Sequence, residues 1–202
     1  MDITLFGNRL SGHTYKVALF LALTNTKHTY TAVSLSQPRN ERPEIFRTNA
    51  RFGEVPLLLV DTVPFVQSNA ILIKLSEITG LMSGNERRSE VMEWLMWEQS
   101  RLGSSLPNLR YERKFIKNSK PEVQAWLSKR LEDDLDVLDQ HLKTNNAFVV
   151  GSTPTIADCS LAGYLYWLDD AGLLVEDWPN VKIWLENIAQ LQNWQHPNQL
   201  IG

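Results

Sequence analysis

Four small polar residues, Ser11, Gly12, His13 and Thr14, stand where a short apolar stretch, ITLF, gives way to the helical stripe 15–23. The first turn of a helix leaves backbone N–H groups unpaired and carries the positive end of the helix dipole. One Ser or Thr is enough to cap it. A run of four polar residues leaves groups over for a ligand. The same chemistry recurs at Gln67-Ser68-Asn69, directly before the apolar-periodic NAILIKLSEI. Ser68 reads either as a plain cap or as a residue that offers its N–H and hydroxyl to a carboxylate at the helix start. Between these two points lies Val55-Pro56, ahead of an apolar strand. A proline there marks a strand boundary, because it removes a ladder donor. In the cis form it would instead turn the N–H and C=O of Val55 outward to pair with an extended peptide, although only about 5–6% of X–Pro bonds are cis. Thr155-Ile-Ala-Asp158 is a capping box, a structural device rather than a catalytic one.

The elements that position these residues change character near residue 79. The first 79 residues alternate: a strand at ITLF, a helix with Val17, Phe20 and Leu21 on one side, and a β-rich stretch from His28. A Pro- and Gly-punctuated loop with at most one short helix follows, then VPLLLV and FV as a hairpin across DTVP, then the helix bearing Ile71, Leu72, Leu75 and Ile78. After the linker TGLMSGNERR the pattern is helical throughout. Val91, Leu95 and Leu102 share a side, and Leu127, Leu131, Leu135, Leu138 and Leu142 form an amphipathic stripe. A helix from Thr155 to a stop at Gly172 and another opening at Pro179 complete the chain. The fold class is α/β followed by all-α.

Composition narrows the function. The chain has 202 residues, 43% hydrophobic and 21% charged, enough for a packed core. A net charge of -3 argues against a nucleic-acid binder. Residues 1–79 hold 8 Lys/Arg against 6 Asp/Glu, and residues 80–202 hold 12 against 17, a slight bias of the first part toward small anions. The single cysteine, Cys159, excludes an internal disulfide and a CxxC motif, and reads as a small core residue. No metal-ligand pattern is present. The absence of a long apolar run and of a signal peptide leads to the expectation of a cytoplasmic protein that does not act at membranes.

The ordered set S-G-H-T-Y-K-V, G-E-V-P, Q-S-N-A-I and T-I-A-D resembles a cytosolic glutathione transferase over essentially the whole chain. The resemblance implies a thioredoxin-like domain at 1–79, an all-α domain at 87–202, a cis Val55–Pro56 bond and a homodimer. It is similar to the bacterial serine-type enzymes and to the zeta and theta classes, where a serine precedes a valine of the first helix by six residues, as Ser11 precedes Val17. Glutathione is then the co-substrate, and Ser11, His13 and Thr14 are the candidates for activating its sulfur. A thiol has a pKa of about 8.5, and a hydroxyl donating to the thiolate is worth roughly 1.5–3 kcal/mol, or about 1–2 pKa units. The N–H of Gly12 would act in the same direction.

The resemblance also places Glu54, Val55, Pro56, Gln67 and Ser68 along the peptide. It places Leu10, Leu106, Arg110, Tyr111 and Phe115 around a small hydrophobic electrophile. The last of these stretches reads equally as an ordinary amphipathic helix end. Two departures stand out. N-A-R-F-G-E-V-P has Ala50 and one residue more than the common N-P-x-G-x-V-P. Before P-E-I, Glu41 would repel the glycine carboxylate of glutathione, leaving Arg39 or Arg42 as the cation. The expected activity is glutathione conjugation in detoxification. An isomerase, peroxidase or disulfide reductase on the same scaffold, and a non-catalytic glutathione-binding or interaction protein, are the alternatives.

Overall fold

The computed structural model describes residues 1–143 and 147–202. They form two compact units, Met1–Leu81 with Gln192–Gly202, and Met82–Leu191.

The first unit runs β1 (Ile3–Gly7), α1 (Gly12–Leu23), β2 (Thr29–Ala32), α2 (Glu44–Asn49), β3 (Leu57–Val60), β4 (Val63–Val66), α3 (Ser68–Thr79). The sheet order is β2-β1-β3-β4, with β1 and β2 parallel and the other pairs antiparallel. Phe6 pairs with Leu57, and Leu57 with Val66, so the strand pleat sends these three to one face. There they pack with Val33, Ala50 and Phe46 of α2. Leu5 and Leu58, also paired, are fully buried on the opposite face, while α1 packs on α3 and on β1. Gly7 is required at the end of β1, because a Cβ there would run into the Thr14 methyl of α1. The sheet and helix order is that of a thioredoxin-like domain. Residues 192–202 belong to this unit rather than to the helical domain that the sequence pattern assigns them to. A short helix, α9 (Pro197–Leu200), packs on α1, and the Tyr15 hydroxyl donates to the carbonyl of Gln195 at 3.0 Å.

The second unit holds α4 (Arg88–Ser100), α5 (Leu102–Lys114), α6 (Pro121–Leu142), α7 (Ile156–Leu165) and α8 (Pro179–Ala189). All five leucines of the α6 stripe are buried. The stretch 91–102, which reads as one helix by its apolar spacing, breaks at Arg101 (φ -120, ψ -92), whose guanidinium pairs with the buried Asp134 at 2.7 Å. The capping box on α7 is complete. Cys159 is buried, and burial pushes its thiol well above the ordinary range, as suits a core residue. Among the described residues no helix is long and apolar enough to cross a membrane.

Candidate functional site

The turn between β1 and α1 is held by side-chain hydrogen bonds. Asn8 accepts the N–H of Leu10 at 2.9 Å and donates to the carbonyl of Val33 at 2.7 Å. This Asx turn delivers Ser11 to the N-cap of α1. Ser11 Oγ accepts the N–H of Thr14 at 3.2 Å, so the capping bond uses a lone pair and leaves the hydroxyl hydrogen for another acceptor. Thr14 is wholly buried and its Oγ1 accepts the N–H of Asn8 at 3.2 Å, which gives it a positioning role in this turn. His13 is half-buried on the first turn of α1, and Gly12 opens the helix. Leu10 is 43% exposed.

The start of α3 is built differently. Gln67 is the N-cap, at φ 71 and ψ 114, and contributes no side-chain cap. Ser68 is the first helical residue and not the cap, which corrects the simpler reading of the sequence. It is buried, yet among the described residues its hydroxyl has no hydrogen-bond partner. An uncapped start with a positive φ at its N-cap leaves several N–H groups pointing out of the helix end. Gln67 Nε2 lies 3.4 Å from Glu54 Oε2, which brings a carboxylate beside it.

Glu54 and Val55 precede β3, and the Val55–Pro56 bond is cis. Among the described residues nothing hydrogen-bonds to the N–H or C=O of Val55. The preceding loop is closed by a turn from Ala50 to Gly53, with the N–H of Gly53 on the carbonyl of Ala50 at 2.7 Å. Gly53 sits at φ 66, which a residue with a side chain rarely adopts. This turn absorbs the extra residue of N-A-R-F-G-E-V-P. Two arginines converge on it. Arg42 Nη1 donates to the carbonyl of Gly53 at 2.8 Å, and the Arg39 guanidinium lies 3.5 Å from the place a Gly53 Cβ would occupy. Arg39 is exposed and without a hydrogen bond or ion pair among the described residues.

Sheet register brings these pieces together. Because Phe6 pairs with Leu57 and Leu57 with Val66, the end of β1, the start of β3 and the end of β4 lie at one end of the sheet. Neighbouring strands are about 4.8 Å apart, so the three attachment points span roughly 10 Å. That is the length of an extended tripeptide. Two residues had roles that escaped the sequence reading: Asn8, whose signal was an Asn two residues before a loop N–H, and Gly53, the glycine of an unmatched loop.

The residues expected around the acceptor divide. In the second unit Leu106 is wholly buried in the helical core. Arg110 is 3% exposed, ion-paired with Asp170 at 2.8 Å and stacked 4.4 Å over Trp167. It shares Asp170 with Lys114, which lies 2.6 Å from the same carboxylate. Tyr111 and Phe115 are exposed, with ring centroids 6.0 Å apart. Among the described residues no group of three or more His, Cys, Asp or Glu side chains could hold a metal ion.

A βαβαββα sheet domain followed by a helical domain defines a two-domain thioredoxin-like architecture. The family model described as "Glutathione S-transferase, N-terminal domain" matches residues 1–74, and "Glutathione S-transferase, C-terminal domain" matches residues 117–187. The chain belongs to the glutathione S-transferase family. It is similar to a glutathione S-transferase of Xanthobacter autotrophicus, with 27% identity and a TM-score of 0.84 over 96% of each chain. It is similar also to the disulfide-bond oxidoreductase YfcG of Escherichia coli, 27% identical over 88% of this chain and 85% of that one. A glutathione transferase homologue of Lodderomyces elongisporus, solved with two glutathione molecules per subunit, shares the fold over 100% of both chains at a TM-score of 0.89 and 19% identity.

Proposed function

We propose that the first unit binds glutathione and activates its sulfur for transfer to a small hydrophobic electrophile. The observation that carries this reading is the unpaired backbone of Val55, set between Ser11 at the end of β1 and the uncapped start of α3 at the end of β4. The γ-glutamyl carboxylate takes the N–H groups and hydroxyl at Ser68, with Gln67 beside it. Glu54 faces the ammonium of the same residue. The amide and carbonyl of Val55 pair with the cysteinyl backbone in strand fashion. Arg39 takes the glycine carboxylate, because Arg42 is already committed to Gly53.

The sulfur then meets Ser11, whose hydroxyl hydrogen is left over by the capping bond. Donation to the thiolate holds it in the charged, nucleophilic form, with the N–H of Gly12 and the helix dipole adding to the effect. The thiolate attacks an electrophilic carbon, a bond from that carbon to its leaving group breaks, and the leaving group departs with the electron pair. Leu10 in the first unit offers exposed apolar surface for such a substrate. The working form is a homodimer, and the compartment is the cytoplasm. In this scheme 1–79 is the glutathione domain and 87–202 the acceptor domain, with the terminal segment returning to the first.

The likeness to a disulfide-bond oxidoreductase favours a second reading, in which the same thiolate attacks a disulfide sulfur. The chain supplies no thiol of its own for that step, since Cys159 is buried, so both thiols would come from glutathione. Calorimetry separates the binding claim from either chemistry. Ser68→Ala is expected to weaken glutathione by about 1–3 kcal/mol, the range for a lost bond to a charged group. Unchanged affinity would remove the γ-glutamyl end from α3.

A further inference from the structure

The second unit contains a cavity of about 350 Å³ between α7, the turn 169–176 and α8. None of its lining residues takes part in the glutathione reading above. Leu165, Leu168 and Leu185 form a buried apolar floor. Tyr166 adds a wall fixed by its hydroxyl bond to the carbonyl of Leu185 at 3.2 Å. At the mouth Leu174 is 61% exposed. The volume falls in the range of small-molecule pockets, roughly 300–1,000 Å³.

The charge around this mouth is one-sided. Asp169, Glu176 and Glu186 line it against a single cation, Lys182. Lys182 is taken by Glu176 at 3.3 Å. The side-chain carboxylates of Asp169 and Glu186 have no hydrogen bond or ion pair among the described residues. An anionic amphiphile would bring its charge toward two carboxylates already lacking counter-ions. A neutral one would leave them as they are. A cation with an apolar tail fills the floor with the tail and supplies the missing counter-charge at the rim.

We propose that this cavity is a binding site for a small lipophilic cation, an ammonium on an aliphatic or aryl body. The tail rests on Leu165, Leu168 and Leu185, and the head lies between Asp169 and Glu186. Decyltrimethylammonium, kept below its micelle threshold, is the probe, and methyl NMR of the full chain is the readout. Saturable shifts are expected at the methyls of Leu173, Leu174 and Ala189, which line the cavity. Decanoate, with a similar tail, is expected to bind about tenfold more weakly, since each exposed charge pair contributes up to roughly a factor of five. The double variant Asp169→Asn/Glu186→Gln should lose about three- to tenfold for the cation and narrow its advantage over decanoate. Leu174→Ala, at an exposed position that the fold tolerates, should weaken both probes together. Equal binding of decanoate and the cation, an unchanged affinity in the double variant, or shifts confined to other residues would each overturn the assignment.

Discussion

Replacing Asp158 by alanine removes more than a helix cap. Oδ2 accepts the N–H of Thr155 at 2.7 Å and its hydroxyl at 3.0 Å, while Oδ1 accepts the N–H of Val149 and the indole N–H of Trp184, each at 2.9 Å. All four residues are buried. Loss of the capping box costs about 0.5–2 kcal/mol. The stranded donors at Val149 and Trp184 cost roughly 1–3 kcal/mol each. Burial pushes the Asp158 carboxyl above its ordinary range in spite of its four donors, so alanine also relieves a desolvation cost. The net expectation is a loss of about 3–5 kcal/mol, a large share of the 5–15 kcal/mol typical of a domain. Urea unfolding followed by far-ultraviolet circular dichroism measures it. Thr155→Ala, which leaves the Val149 and Trp184 bonds in place, should cost only about 1 kcal/mol. A loss below about 1 kcal/mol in Asp158→Ala, with an unchanged denaturant slope, would refute the reasoning. So would intact stability with abolished turnover, which would move Asp158 into the active site.

Arg39→Ala should weaken glutathione about tenfold, while glutathione lacking its glycine residue should bind wild type and variant alike; equal loss for both ligands in calorimetry would count against the carboxylate contact. Arg42→Ala should lower thermal stability through the Gly53 turn and affect both ligands equally, as thermal melts and the same titrations would reveal. At Asp170, burial raises the carboxyl pKa, but hydrogen bonds from Lys114 and Arg110 outweigh it and hold the group below its ordinary value. A depressed carboxylate contributes stability above its unfolded pKa of about 3.9 and loses it as pH falls through the folded value. Asp170→Asn should therefore cost about 3 kcal/mol at neutral pH, where it removes the carboxylate that faces Arg110 and Lys114, and the gap from wild type should close in acid. A gap that stays constant down to strongly acid pH in urea titrations would argue against this ion pair.

Regular elements with a strong apolar period were legible in the sequence. The α6 leucines, the α3 face at Ile71, Leu72 and Leu75, and the Pro179 start of α8 all appear as the spacing predicts, because burial enforces the period. The break at Arg101 was hidden, since apolar spacing continues across it and its partner Asp134 lies 33 residues away. The return of residues 192–202 was hidden for a similar reason: a bond from Tyr15 to a backbone carbonyl leaves no mark in composition. At the candidate site, the polar clusters at 11–14 and 67–69 were visible in the sequence. Their division of labour required geometry. Ser68 differs from a cap by one residue, and Thr14 differs from Ser11 in that its hydroxyl accepts the N–H of Asn8. Arg39 and Arg42 are equivalent as letters, and only the Gly53 carbonyl distinguishes them.

In the proposed mechanism Ser11 gives its hydroxyl hydrogen to the sulfur of bound glutathione. Titrating the ultraviolet absorbance of the thiolate in the complex, for wild type and for Ser11→Ala, measures that bond directly. The midpoint should rise by about 1–2 pH units in the variant, with glutathione affinity nearly unchanged. An identical midpoint in the two proteins would contradict the account and reduce Ser11 to the cap of α1.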